Sequence, residues 1–233
     1  MKRKIFLTSV ITILVCLCII TGATFALFTS KDTVNITVAA GQVQVIASMS
    51  VDSVRTTFVD YQDTTYEKSS PSYYDGGNPV YYFENMGTAT LKGGRVLTLD
   101  RVTPGDEVNL HVNIENKSNV AIKYIVVATV SSNSSQQYPL DDYLEVYVDN
   151  AKVGSSGKTY VPSNWKTVEP YSGINNIPVQ VWLPDDIGGS SVDDNLYQNA
   201  TAEITFTVYA IQANVTNQDA YNEFGIAAPV VNP

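Results

Sequence analysis

Apolar residues at every second position are the feature of this chain that most narrows its fold. The pattern runs through Val34, Ile36 and Val38, then Val43 and Val45, and again through Val108, Leu110, Val112 and Ile114. It returns in Leu144, Val146 and Val148, in Val179, Val181 and Leu183, and in Ile204, Phe206, Val208 and Ala210. Side chains two apart share one face of a strand, so each run has a face that must be buried and a face that can stay wet. No long run keeps the 3.6-residue period that would bury one side of a helix. Ala121 to Val130 differs, because Ile125, Val126 and Val127 are consecutive, which predicts a strand covered on both faces. Turn chemistry separates the runs at Pro104-Gly105-Asp106, Asn116 to Asn119, Ser131 to Gln137, Asp149-Asn150 and Asp185 to Gly189. Many short strands joined by polar turns, without helical crossovers, predict an all-β antiparallel sandwich.

The N-terminus predicts export. Lys2, Arg3 and Lys4 precede an uncharged apolar stretch from Ile5 to Ile20, followed by the small and aromatic residues Thr21 to Ala26. That layout is a cleaved signal peptide, with a helix over residues 1–26 and cleavage between Ala26 and Leu27. An uncleaved signal anchor is the alternative, but the stretch is short of the roughly 20 apolar residues a spanning helix needs. Cys16 and Cys18, the two cysteines of the chain, both lie in this segment. The mature protein therefore has no disulfide and must be held by its core and its backbone ladders. Removing three of the 14 basic residues leaves 11 against 23 acidic ones, a formal charge of −12. This excludes nucleic acid as a natural partner and leaves the membrane as a partner only through the uncleaved signal.

Residues 60–94 stand apart in composition, being rich in Tyr, Ser, Thr and Gly, with Val80 to Phe83 as the one strand-like stretch. They read as a surface insertion. Tyr61, Tyr66, Tyr73, Tyr74, Tyr81 and Tyr82 make it a candidate adhesive surface, since tyrosine offers a large apolar area with a polar tip. The competing reading is an insertion packed on its own sandwich. The expected organisation is thus a signal peptide (1–26), an N-terminal strand and hinge (27–41), a sandwich domain (42–226) and a short tail (227–233).

Three blocks carry a resemblance. The first is Thr24 to Asp32 continuing through Asn35-Ile36-Thr37-Val38-Ala39-Ala40-Gly41. The second is Leu99 to Asp106 with Ile114-Glu115-Asn116 and Ala121-Ile122-Lys123. The third is Asn195 to Asn199 leading into Ile204 to Ala213. In this order and spacing they resemble the TasA/camelysin family of secreted biofilm-matrix proteins. The resemblance implies a jelly-roll sandwich, processing by a dedicated signal peptidase, and self-assembly into extracellular fibres on or near a bacterial surface, with room for other matrix proteins as partners. It further implies that the freed N-terminal segment of one subunit completes a sheet of the next. Val34, Ile36 and Val38 are then the donor residues and Gly41 the hinge. Their alternation suits a donor strand and equally suits the first strand of the chain's own sandwich, because backbone pairing is the same in both cases.

Camelysin-type members are described as metallo-endopeptidases, which the residues here do not favour. His111 is the single histidine, so no His-Glu-x-x-His zinc site can be built, and no mature cysteine replaces it. A serine triad would need this same His111 beside a serine and an aspartate, and no serine has the glycine-flanked setting of a nucleophile elbow. Its place between Leu110 and Val112 turns its side chain outward. The pairs Asp141-Asp142, Asp185-Asp186 and Asp193-Asp194 lack the spacing of a calcium loop, and neither a metal nor another cofactor is expected; a bound metal at such a turn would be calcium rather than zinc. Five Asn-x-Ser/Thr sequons, at Asn35, Asn116, Asn133, Asn199 and Asn214, are expected by chance in so Asn- and Thr-rich a chain. Three functions follow in order: a fibre subunit, a monomeric adhesion or binding module, and a secreted metallopeptidase.

Overall fold

Alternation does here what it should: it divides the chain into strands that share one apolar layer between two antiparallel sheets. The structure, a computed structural model, describes residues 29–32, 43–58, 64–132, 140–156, 158–184 and 200–228. The expected signal peptide, its cleavage point at Ala26 and Leu27, and the expected donor residues Val34, Ile36, Val38 and Gly41 lie outside them. No helix among the described residues is long and apolar enough to cross a membrane.

The larger sheet has the strand order β12 (Gly154–Ser156), β13 (Thr159–Val161), β9 (Ile122–Ser132), β16 (Thr201–Gln212), β7 (Val96–Asp100), β6 (Thr88–Lys92), β5 (Asn78–Tyr82) and β4 (Tyr73–Asp75). β1 (Thr29–Asp32) also pairs with β16, and β14 (Lys166–Val168) with β9. The smaller sheet runs β11 (Ala151–Lys152), β10 (Glu145–Val148), β15 (Gly173–Trp182), β8 (Asp106–Asn116), β2 (Val45–Phe58) and β3 (Thr64–Lys68). The fold is all-β with two antiparallel sheets, consistent with a sandwich. Leu110 and Ile114 from one sheet and Leu97 and Phe206 from the other meet in the core, each fully buried.

The described part of residues 60–94, expected as a surface insertion, is woven into both sheets. β4, β5 and β6 extend the larger sheet beyond β7, while β3 pairs with β2 in the smaller one. Tyr81, Phe83, Ala89 and Leu91 sit in the common core. Tyr81 and Phe83 belong to the stretch that the pattern marks, whereas Ala89 and Leu91 are set among Thr and Gly and show no strand by pattern alone.

The prediction that β9 is covered on both faces holds, and the cover is now visible. Its outer residues Ile125 and Val127 join Ile211 under Trp165, Ala220 and Tyr221, forming a second small core. Trp165 stacks on Phe224 with ring centroids 6.1 Å apart. Ala220 and Tyr221 come from α1 (Asn217–Glu223), whose first turn is capped by Thr216 Oγ1 accepting from the Asp219 N–H at 3.1 Å. Lys123 ties this layer to β9. Its side chain is buried, its ammonium donates to Val215 O and to Asn217 Oδ1 at 3.0 Å, and it lies 5.7 Å from the Trp165 ring. Burial lowers its pKa, against the opposing pull of Asp219.

The Pro104-Gly105 turn leads into β8 and anchors a polar knot. Gly105 adopts φ +89°, a conformation that favours glycine, and its N–H donates to Leu183 O while its carbonyl accepts from Thr57. Beside it the buried Asp106 carboxylate accepts from Thr56 Oγ1 at 2.8 Å, the Thr103 N–H at 2.8 Å and Asn85 Nδ2 at 2.7 Å. Desolvation outweighs these donors and raises its pKa to about 6. The folded state therefore holds this proton more tightly than the unfolded chain. The stabilisation is full below the unfolded pKa, near 4, and is lost as pH rises through about 6. Urea unfolding of wild type against Asp106→Asn across pH 4 to 7 should show the wild-type advantage shrinking by about 2–3 kcal/mol. A difference that stays level would remove Asp106 as the cause.

Candidate functional site

β16 is the strand on which a terminal segment is held. One side is paired with β9 throughout, from Ala202 to Gln212. The other side is shared by two strands placed end to end: β7 covers Thr201 to Thr205, and β1 covers Val208 to Ile211. The Phe206 N–H donates to Arg95 O at 3.3 Å, which carries β7's coverage to the junction. β1 pairs in the register Thr29 with Ile211, Ser30 with Ala210, Lys31 with Tyr209 and Asp32 with Val208. The segment just after the expected cleavage point thus fills a slot in the larger sheet of its own chain. The donor residues expected further along fall outside the described residues.

The tyrosines of residues 60–94 divide into two groups. Tyr66, Tyr73 and Tyr74 are exposed, Tyr74 at 66%. Tyr81 is buried, and Tyr82 lies against Tyr73 with ring centroids 5.7 Å apart. Tyr61 lies outside the described residues. The adhesive surface expected from sequence is therefore reduced to the side chains on β3 and β4.

His111 faces outward from β8, as its alternation required, but it is not alone. Its Nε2 is 2.7 Å from Ser50 Oγ, and its Nδ1 is bonded to Asp52 Oδ1. Ser50 is the direct cross-strand partner of His111, and a β-bulge between Val51 and Ser53 adds Asp52 as an extra residue on the same face. The serine and the aspartate that a triad would need beside His111 are therefore both present, without a glycine-flanked setting for the serine. Ser50 and Asp52 are 61 and 59 residues from it in the chain, and a bulge leaves no periodic signature. A groove of about 140 Å³ beside Asp52 is lined by Asn109, Tyr147, Pro178 and Gln180.

Asp141 is drawn inward by the 3₁₀ turn Leu140–Asp142, where it bonds Ser132 Oγ and pairs with Lys158. Asp185, Asp186, Asp193 and Asp194 lie outside the described residues. Among the described residues no three His, Cys, Asp or Glu side chains cluster as a metal site. Asn116, read as a chance sequon, is fully buried and donates to Val120 O at 2.9 Å and Glu169 O at 3.0 Å. Asn35, Asn133 and Asn199 lie outside the described residues.

No protein-family profile matches the chain, and no curated protein matches it. Among solved structures, the secreted serine protease VesC from Vibrio cholerae is similar at 16% identity and a TM-score of 0.22, over 71% of this chain and 34% of that one. The CBM51-2 and INT domains of ZmpB from Clostridium perfringens are similar at 9% identity and a TM-score of 0.21, over 78% of this chain and 40% of theirs. The chain thus spans well under half the length of either, and overlaps this loose bear on neither fold nor function.

Proposed function

We propose that the protein is a secreted structural subunit that assembles into extracellular fibres, a jelly-roll sandwich whose N-terminal arm pairs with a neighbouring copy. The observation that carries this reading is the slot on β16, where an N-terminal strand of four residues, β1, covers the stretch β7 leaves free. Backbone pairing does not distinguish the chain's own arm from an identical one, so the slot that accepts β1 at home accepts the same segment from a second molecule. Signal cleavage would free the arm for exchange. The resemblance in the N-terminal block supports the same role.

The register supplies the test. Lys31 and Tyr209 are opposite one another, so cysteines at these positions fall within disulfide reach when the arm is seated. A mixture of mature Lys31→Cys and Tyr209→Cys proteins should yield disulfide-linked dimers under assembly conditions. Closure of the double variant on itself, with no dimers from the mixture, would show the arm staying in its own sheet and end the fibre reading.

A monomeric adhesion or binding module is the second reading, favoured by the exposed Tyr66, Tyr73 and Tyr74. It predicts no filaments by negative-stain microscopy and loss of surface adhesion on Tyr74→Ala.

A further inference from the structure

We propose that Ser50, His111 and Asp52 form a nucleophilic centre that takes an acyl group from small activated carboxylic esters. A carboxylate can only accept, so the Asp52 contact fixes the proton of a neutral imidazole on Nδ1 and leaves Nε2 as acceptor. Ser50 then donates its hydroxyl proton to Nε2 across 2.7 Å, the arrangement that makes a serine nucleophilic. Ser50 and His111 are the reacting groups and Asp52 is a positioning residue.

The chemistry balances with water as the only co-reactant. Ser50 Oγ attacks the carbonyl carbon while its proton passes to Nε2. The ester C–O bond breaks, and the departing alkoxide takes that proton from Nε2. Water then attacks the acyl-serine, giving its proton to Nε2 and releasing the acid as Ser50 recovers its hydrogen.

Two further features fit. The groove of about 140 Å³ is walled by Asp52 and by Pro178, the cross-strand partner of His111, so it lies next to the two reacting groups without including them. β3 pairs with β2 only from Val54 onward, so among the described residues the strand beside Ser50 is a sheet edge. Backbone N–H groups on that edge that point away from β8 would supply the donor for the oxyanion. The centre is open to solvent rather than enclosed, with the His111 side chain 23% and the Asp52 side chain 48% exposed, which suits esters with good leaving groups and not peptide bonds.

The experiment is site-resolved mass spectrometry of the purified secreted chain after exposure to p-nitrophenyl acetate and to a fluorophosphonate probe. Ser48, one step along the same face and without a histidine partner, is the internal reference. Ser50 should be modified about 100-fold faster than Ser48, the scale of general-base assistance. His111→Ala should erase that advantage and its pH dependence, and Asp52→Asn should cut it about tenfold or more. His111→Gln, which keeps a polar partner for Ser50, serves where His111→Ala fails to fold. Equal labelling of Ser50 and Ser48, or a Ser50 rate untouched by loss of the imidazole, overturns the proposal.

Discussion

Removing residues 27–40 is expected to leave a folded protein that forms no fibres under conditions where the intact mature chain does. The deletion takes away β1, so the β16 edge from Val208 to Ile211 loses its partner while the β9 and β7 ladders remain. All the core residues among those described lie from 43 onward, which is why the shortened protein should still fold. An open edge beside a buried core costs stability and offers a vacancy in the same stroke. Adding a synthetic peptide of residues 27–40 at about 100 times its dissociation constant should restore about 2.7 kcal/mol, some 5–10 °C in thermal midpoint for a domain of this size. Fibres from the shortened protein, or no response to the peptide, would show that assembly uses another surface.

Asn116→Ala should be the most damaging single substitution outside the apolar core, lowering stability by about 4 kcal/mol and the thermal midpoint by about 8–15 °C. Asn116 closes β8 with no solvent exposure. Its amide donates to Val120 O and Glu169 O, and its Oδ1 accepts the Ser118 N–H at 2.9 Å. One side chain thereby holds the turn before β9 and the segment before β15 together. Alanine would orphan the buried Ser118 N–H and the Val120 carbonyl, each costing about 1–3 kcal/mol when left without a partner, while Glu169 O keeps the Ser172 hydroxyl as donor. Aspartate would keep the acceptor but bury a charge against carbonyls, so it should be no better. A midpoint within about 2 °C of wild type in thermal unfolding would mean that water replaces these bonds.

The strands and Asn116 together mark where sequence reading worked and where it stopped. β8, β10, β15 and β16 were legible because each has one buried face, and burial on one side writes a period of two. The doubly covered β9 was legible from its unbroken apolar run, though nothing in that run named Trp165 and α1 as the cover. Asn116 looked like one more turn residue, because the carbonyls it satisfies are up to 53 residues away. The Ser50–His111–Asp52 contact was hidden for a related reason: it depends on strand register and on a bulge, neither of which has a local pattern. In residues 60–94, core residues such as Ala89 and Leu91 were masked by their polar neighbours.

The lid formed by Trp165 and α1 has a practical bearing on how the chain can be cut and extended. Ending it after Ala213 would remove Ala220 and Tyr221 from the cover over Ile125, Val127 and Ile211, expose one side of Trp165, and leave the Lys123 ammonium without its two acceptors. Such a truncated product should be sticky and prone to precipitate during purification. Affinity tags and fluorescent fusions at that end therefore belong beyond residue 228, where they leave the lid seated.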